Sequence, residues 1–376
     1  MIWLTWRQFR AQAIVAAAAL VAFAIVLAVT QTHMDSMYHA SGLTSCHGGT
    51  CAGLATQFLQ DLSSGRGVPL LPAGTNEYVI LYFLSVLVIL LAPAIIGTFW
   101  GAPLIARELE TGTCRLAWNQ SVTRNRWLAV KLSLTGVAAM VVTEAFSLVQ
   151  AWWAVPIGKA VGLGGSASIF TEGWFGFFVF PTHGITPLGY AAFGFVLGVT
   201  LGLLIRHLVR AMAATLVIFA VVQFVTPLWI RPNLIPPSHT TATIAAAGAN
   251  ADVVGRTCRR LAFSGALRCQ NIMTVTAGAV PGQSDAWIIS SGAVNAAGQQ
   301  VSIIPAACAS AIPSNQGPSG SPELNNCLAS HGIGVAVSYQ PASRYWPLQL
   351  AETGLYLALA LALGGYCFRR LDRRRT

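Results

Sequence analysis

Two glutamates stand almost alone in long uncharged stretches. Glu144 is the only Asp, Glu, Lys or Arg between residues 132 and 158, and Glu352 lies near the start of an apolar run that ends at Phe368. A carboxylate in such surroundings is expensive, so each must face the protein interior or a wet cavity, and each marks a candidate proton or substrate contact. A structural role weighs equally for Glu144, with Ser147, Gln150 or a neighbouring helix satisfying it. For Glu352 the structural alternative is headgroup water. A second set of reactive types, His33, His39, Cys46, His47 and Cys51, has the Cys-x4-Cys spacing of a metal site. An oxidising exterior makes a disulfide the simpler outcome there, and no metal is assigned.

The third candidate is a polar segment at residues 104–131, LIARELETGTCRLAWNQSVTRNRWLAVK, between two apolar runs. Its carboxylates precede a Thr-Gly-Thr helix start, and Arg115, Leu116 and Trp118 can form one or two amphipathic turns beyond it. Such a loop is a docking knob or only a solvated turn. Nucleotide chemistry is missing from the chain: the phosphate-cradling Gly-x4-Gly-Lys-Ser/Thr is absent, and the Gly158-Lys159 pair is followed by Ala160. No triad or metal-hydrolase motif occurs, so the chain is not expected to be an enzyme.

The elements that must position these residues are membrane helices. Apolar residues make up 55% of the chain and charged ones 9%, against about 25% charged in soluble domains. About 20 apolar residues at about 1.5 Å rise cross a bilayer. Crossings are expected at 13–32, 79–103, 127–155, 186–205, 211–230 and 346–368. The second contains Pro93 and Gly97, and the fourth carries Gly194, Gly198 and Gly202 at the interval that lets helices approach closely. Ahead of the first, Trp3, Trp6, Arg7 and Arg10 suit an interfacial helix within residues 1–12. The apolar run behind it is too long for a signal peptide.

Most of the 22 basic residues fall in short segments on one side: the amino terminus, the loop at 104–126, the Arg206–Arg210 turn and the tail at 369–376. Short loops rich in Lys and Arg stay in the cytoplasm, so both termini are expected inside. The net charge of +10 then reflects topology rather than nucleic acid, whose binders cluster charge on a soluble face. Residues 231–345 become an extracellular domain, and runs such as AWIISSGAVNAAGQQVSII read as strands. Cys46, Cys51, Cys258, Cys269, Cys308 and Cys327 all fall outside, an even set suited to disulfides. Spacing does not dictate connectivity; neighbour pairing would join 46 with 51, 258 with 269 and 308 with 327. The expected fold class is an all-α polytopic membrane protein of six transmembrane helices with an N-terminal interfacial helix. A disulfide-bearing, β-containing domain lies between helices five and six.

The pattern A-R-E-x-E-x-G-T, a short helix, S-V-T-R-x-R-W and a Lys entering the next helix resembles the cytoplasmic coupling loop of ABC-2 type transporter permeases. The opening MIWLTWRQFR and the late YQPASRYWPLQLAE resemble a bacterial group of them. The resemblance implies a multi-pass permease in the bacterial cell membrane, paired with a second copy or a sister permease. It docks on a dimer of separate ABC ATPase subunits that bind ATP and Mg, so no cofactor is expected in this chain. It places Arg107, Glu108, Glu110, Gly112 and Thr113 in the docking loop and Arg115, Leu116 and Trp118 in its helix. It also implies outward transport of a hydrophobic or amphipathic substrate. Two readings remain beside it: an ion-coupled secondary transporter using Glu144 and Glu352, and an ABC-like sensor or immunity subunit using the external domain as receptor.

Overall fold

The computed structural model describes residues 2–46, 51–64, 77–111, 123–165, 175–205, 207–260, 267–283, 286–312 and 321–372. They form two compact units, Met1–Leu234 with Trp346–Thr376, and Ile235–Tyr345.

The first unit is helical. In chain order it contains α1 (Ile2–Ala40), α2 (Cys51–Ser63), α3 (Glu77–Ile96), α4 (Ala102–Thr111), α5 (Arg124–Trp153), α6 (Val155–Gly162), α7 (Thr186–Ile205), α8 (Leu208–Val225) and the short α9 (Arg231–Leu234). Of α10 and α11, the second, Tyr345–Asp372, returns to this unit, while α10 (Pro322–Ser330) belongs to the other. Among the described residues six helical spans are long and apolar enough to cross a membrane: Phe9–Ala40, Glu77–Glu108, Asn125–Trp153, Thr186–Ile205, Leu208–Leu234 and Ala342–Asp372.

Three features depart from expectation. The interfacial helix and the first crossing are one uninterrupted helix, α1, running past residue 32 to Ala40. Nothing in QAIVAAAAL breaks it, since alanine is the best helix former and the stretch has neither Gly nor Pro. Within the segment read as an external loop, α2 buries Ala55, Phe58, Leu59 and Leu62 on one face, at helical spacing. The loop expected from residue 104 begins later, because α4 continues as helix to Thr111.

Two spans change their winding part-way. Between α3 and α4 the chain forms a π-helical turn at Gly97–Gly101, four residues after Pro93. Between α8 and α9 it forms another at Thr226–Ile230, which contains Pro227. Proline removes a backbone donor and crowds the preceding turn, and inserted π turns are one way a helix absorbs that.

The first of these turns lies against α7, the most enclosed crossing. A Cβ on Gly198 would lie 2.9 Å from the Ala102 nitrogen, and one on Gly202 would lie 2.6 Å from the Ala102 oxygen. Backbones this close admit only glycine, which is the packing role the four-residue spacing suggests.

The second unit holds five strands: β1 (Ser238–Thr243), β2 (Asn250–Arg260), β3 (Leu267–Thr276), β4 (Trp287–Val294) and β5 (Gly334–Gln340). β5 lies between β1 and β4 in an antiparallel sheet, and β2 and β3 form a separate hairpin with Cys258 opposite Cys269. Val335 and Val337 of β5 point with Met273, Val275, Leu324 and Leu328 into one core. Alternating residues of a strand share a face, and here that face is the buried one. The AWIISSGAV stretch is a strand as read, but VSII after it makes only isolated bridges.

Candidate functional site

The polar segment between the second and third spans is closed at its base by an ion pair. Glu108, on α4, meets the ammonium of Lys131, on α5, and the two side chains are 17% and 4% exposed. The Lys131 nitrogen also sits 4.8 Å above the Trp127 ring centre. Two residues on, Glu110 accepts the backbone N–H of Leu208 at 3.1 Å and lies 3.6 Å from His207. Leu208 opens α8, so a carboxylate there satisfies an orphan donor and complements the helix dipole. Thr123 caps α5 by accepting from the Arg126 N–H at 3.4 Å. Asn125 then bonds Asp372 at the end of α11, at 3.3 Å. On the other flank Phe9 packs edge-on to Trp100 at 4.8 Å, and the Gln12 amide donates to the Phe99 carbonyl in the π turn at 3.1 Å. Both ends of the loop are thus tied to α1, α5, α8 and α11.

At the opposite end of the bundle a second charge pair is fully enclosed. Arg231 Nε donates to Glu352 Oε2 at 2.8 Å and Nη2 to Oε1 at 3.2 Å, both side chains being 0% exposed. Tyr190 on α7 adds its hydroxyl to Oε1 at 2.7 Å. The guanidinium lies 4.1 Å over the Phe180 ring, and Tyr356 bonds Thr226 in the second π turn. One turn before Glu352, Gln349 accepts the Ile185 and Thr186 N–H groups at 3.2 and 3.1 Å and donates to the carbonyls of Phe180 and His183 at 3.2 and 3.1 Å. It thereby caps the start of α7. His183 is buried beside it, 2.9 Å from the Val179 carbonyl. Burial pushes its imidazole below the usual histidine value, against the opposing hydrogen bond to Val179.

A family model described as ABC-2 membrane transporter related matches residues 17–231, more than half of the chain. The chain belongs to that family. It is a multi-pass membrane protein of the ABC-2 permease kind, a generally non-catalytic membrane subunit whose family implies an ABC ATPase partner. No curated protein and no solved structure matches the chain.

Within this ABC-2 permease, Arg107, Glu108 and Glu110 are on the last turns of α4 rather than in a loop. Glu108 is turned into Lys131, so its carboxylate is not presented outward. Gly112, Thr113, Arg115, Leu116 and Trp118 lie outside the described residues. The reading of Glu352 as a headgroup contact is overturned by its zero exposure and by Arg231. The partners offered for Glu144 also fail: Ser147 donates instead to the Thr182 carbonyl at 2.8 Å. Both Gln150 amide atoms and Glu144 Oε2 are buried without a hydrogen-bond partner among the described residues. The cysteines form disulfides 46 with 51, 258 with 269 and 308 with 327, and His47 of the amino-terminal cluster lies outside the described residues. Sequence reasoning missed Arg231 and Tyr190. The available signal was Arg231 directly following an apolar run, but its partner is 121 residues away.

Proposed function

We propose that this chain is the membrane-spanning subunit of an ATP-driven exporter in a bacterial cell membrane, with both termini cytoplasmic. Two permeases, a second copy or a sister chain, open a path outward by alternating access for a hydrophobic or amphipathic substrate. A separate ATPase dimer, holding ATP and Mg, supplies the force through residues 107–118. The observation that carries this reading is the clamped base of that segment. Glu108 with Lys131, and Glu110 with the start of α8, join it to three crossings at once. A push on the loop therefore moves α4, α5 and α8 together instead of being lost in a slack connection.

Ion-coupled transport fits less well. Glu352 is neutralised by a bidentate arginine and a tyrosine, so a carrier of protons would have to break that cluster on every cycle.

The test uses the complex with its ATPase reconstituted in lipid. Glu110→Gln and Leu116→Ala are expected to lower substrate-stimulated ATP hydrolysis severalfold while membrane insertion and yield stay normal. Stimulation equal to that of the unmodified complex in both variants would remove the docking role.

A further inference from the structure

The second unit contains a side-chain cluster that the transport reading does not use. Cys308 lies in a short 3-10 turn, Ala306–Ala311, and Cys327 and His331 lie one helical turn apart at the end of α10. Their ligand atoms all fall within 4.8 Å of one another. His331 Nδ1 is 3.7 Å from the Cys308 sulfur and 3.8 Å from the Cys327 sulfur.

We propose that Cys308, Cys327 and His331 form a redox-gated site for a thiophilic d10 cation of the Zn2+ type, closed by the disulfide and opened when a dithiol reduces it. The distances carry the argument. Zinc binds thiolate at about 2.3 Å and imidazole at about 2.0–2.1 Å in tetrahedral geometry, which separates sulfur from nitrogen by about 3.5 Å. Both nitrogen-to-sulfur edges are already near that length. Only the sulfur-to-sulfur edge must change, from a covalent bond to about 3.8 Å, the tetrahedral value for two thiolates. Cys327 is only partly buried and can supply that movement by side-chain rotation, while Cys308 stays fixed in the core with Leu324 and Leu328.

Helix capping accounts for part of the histidine's position, because Nδ1 donates to the Cys327 carbonyl at 2.9 Å. That contact holds the ring beside Cys327 and the disulfide sets Cys308 next to it, so all three ligand atoms are already gathered before reduction.

The chemistry balances with two electrons. A dithiol transfers two electrons and two protons to the Cys308–Cys327 bond, giving two thiols and closing to its own disulfide. Metal binding then displaces both thiol protons. The imidazole carries its proton on Nε2 in that state and gives up the carbonyl contact, leaving the Nδ1 lone pair for the metal. Three protein ligands leave a fourth position for water, the open arrangement of zinc sites that exchange ligands.

The experiment uses the full chain in detergent with Cys46, Cys51, Cys258 and Cys269 replaced by Ser, so that one redox pair remains in this unit. Dithiothreitol reduction followed by Co2+ titration is expected to give one equivalent of tetrahedral cobalt with sulfur charge-transfer bands, displaced by Zn2+. The oxidised chain should show neither. His331→Ala, which leaves both thiols and the core untouched, should weaken Co2+ binding tenfold or more, and near-ultraviolet circular dichroism checks that the unit stays folded. Equal binding by His331→Ala, binding by the oxidised chain, or no sulfur-to-cobalt bands after reduction would each overturn the site.

Discussion

At one end of the helical bundle Glu108, its side chain 17% exposed, meets Lys131, and Glu110 braces an exposed helix start. At the other, Arg231 and Glu352 meet with no exposure at all, roofed by Phe180 and bonded by Tyr190. The chemistry is alike, a carboxylate against a cation between neighbouring helices, but the solvent differs. A fully desolvated pair is tolerable only while intact, because either charge alone would be stranded in low dielectric. Lys131 is buried too, but Glu108 keeps some access to water, so removing the lysine leaves a carboxylate that can be solvated. The Arg231 end is therefore built to hold one arrangement of α7, α9 and α11, and the loop end can change arrangement at modest cost.

The largest test of this contrast breaks the enclosed pair. Arg231→Met leaves Glu352 buried without its cation and is expected to destabilise the protein by about 3–5 kcal/mol, read as a drop in the unfolding midpoint in detergent. Arg231→Met combined with Glu352→Leu should recover most of the loss, since two apolar groups replace two matched charges. A single variant as stable as the parent would mean that water reaches Glu352. Next in size is Lys131→Met at the loop end. Glu108 can turn to solvent, so the cost should be only about 1–2 kcal/mol. A loss as large as that of Arg231→Met would erase the difference between the two ends.

The two ends were also unequally legible in the sequence. The crossings follow from local apolar length, and the glycine spacing of α7 from local periodicity, so both could be read directly. Glu108 and Glu110 were found as charges in a short basic segment. That they would extend a helix to Thr111 depends on Lys131 and on the start of α8, which lie 23 and 98 residues away. Glu352 was seen as costly but given the wrong relief. Its partner opens α9, two helices earlier in the chain, directly after a π turn that no periodicity announces. The uninterrupted α1 was misread for the opposite reason: interfacial Trp and Arg mark a change of environment, and the backbone does not break there.

The smallest effect concerns His183, beside the enclosed end. Its folded value is held below the unfolded one of about 6.5 by burial. As pH falls, the unfolded chain therefore binds its proton first. The stability contributed by keeping the ring neutral is fully present above the unfolded value and is lost as pH falls through the window down to the folded one. Unfolding midpoints measured from pH 8 to pH 5.5 should decline below about 6.5, and His183→Asn should flatten that part of the decline. Asparagine is chosen because its amide can still donate to the Val179 carbonyl. The Gln349 amide bonds the His183 backbone carbonyl, so that contact survives the substitution. A decline identical in both proteins would mean that the protonated ring reaches water without unfolding. The turn before α7 would then open independently, and the Arg231 end could not be the fixed one.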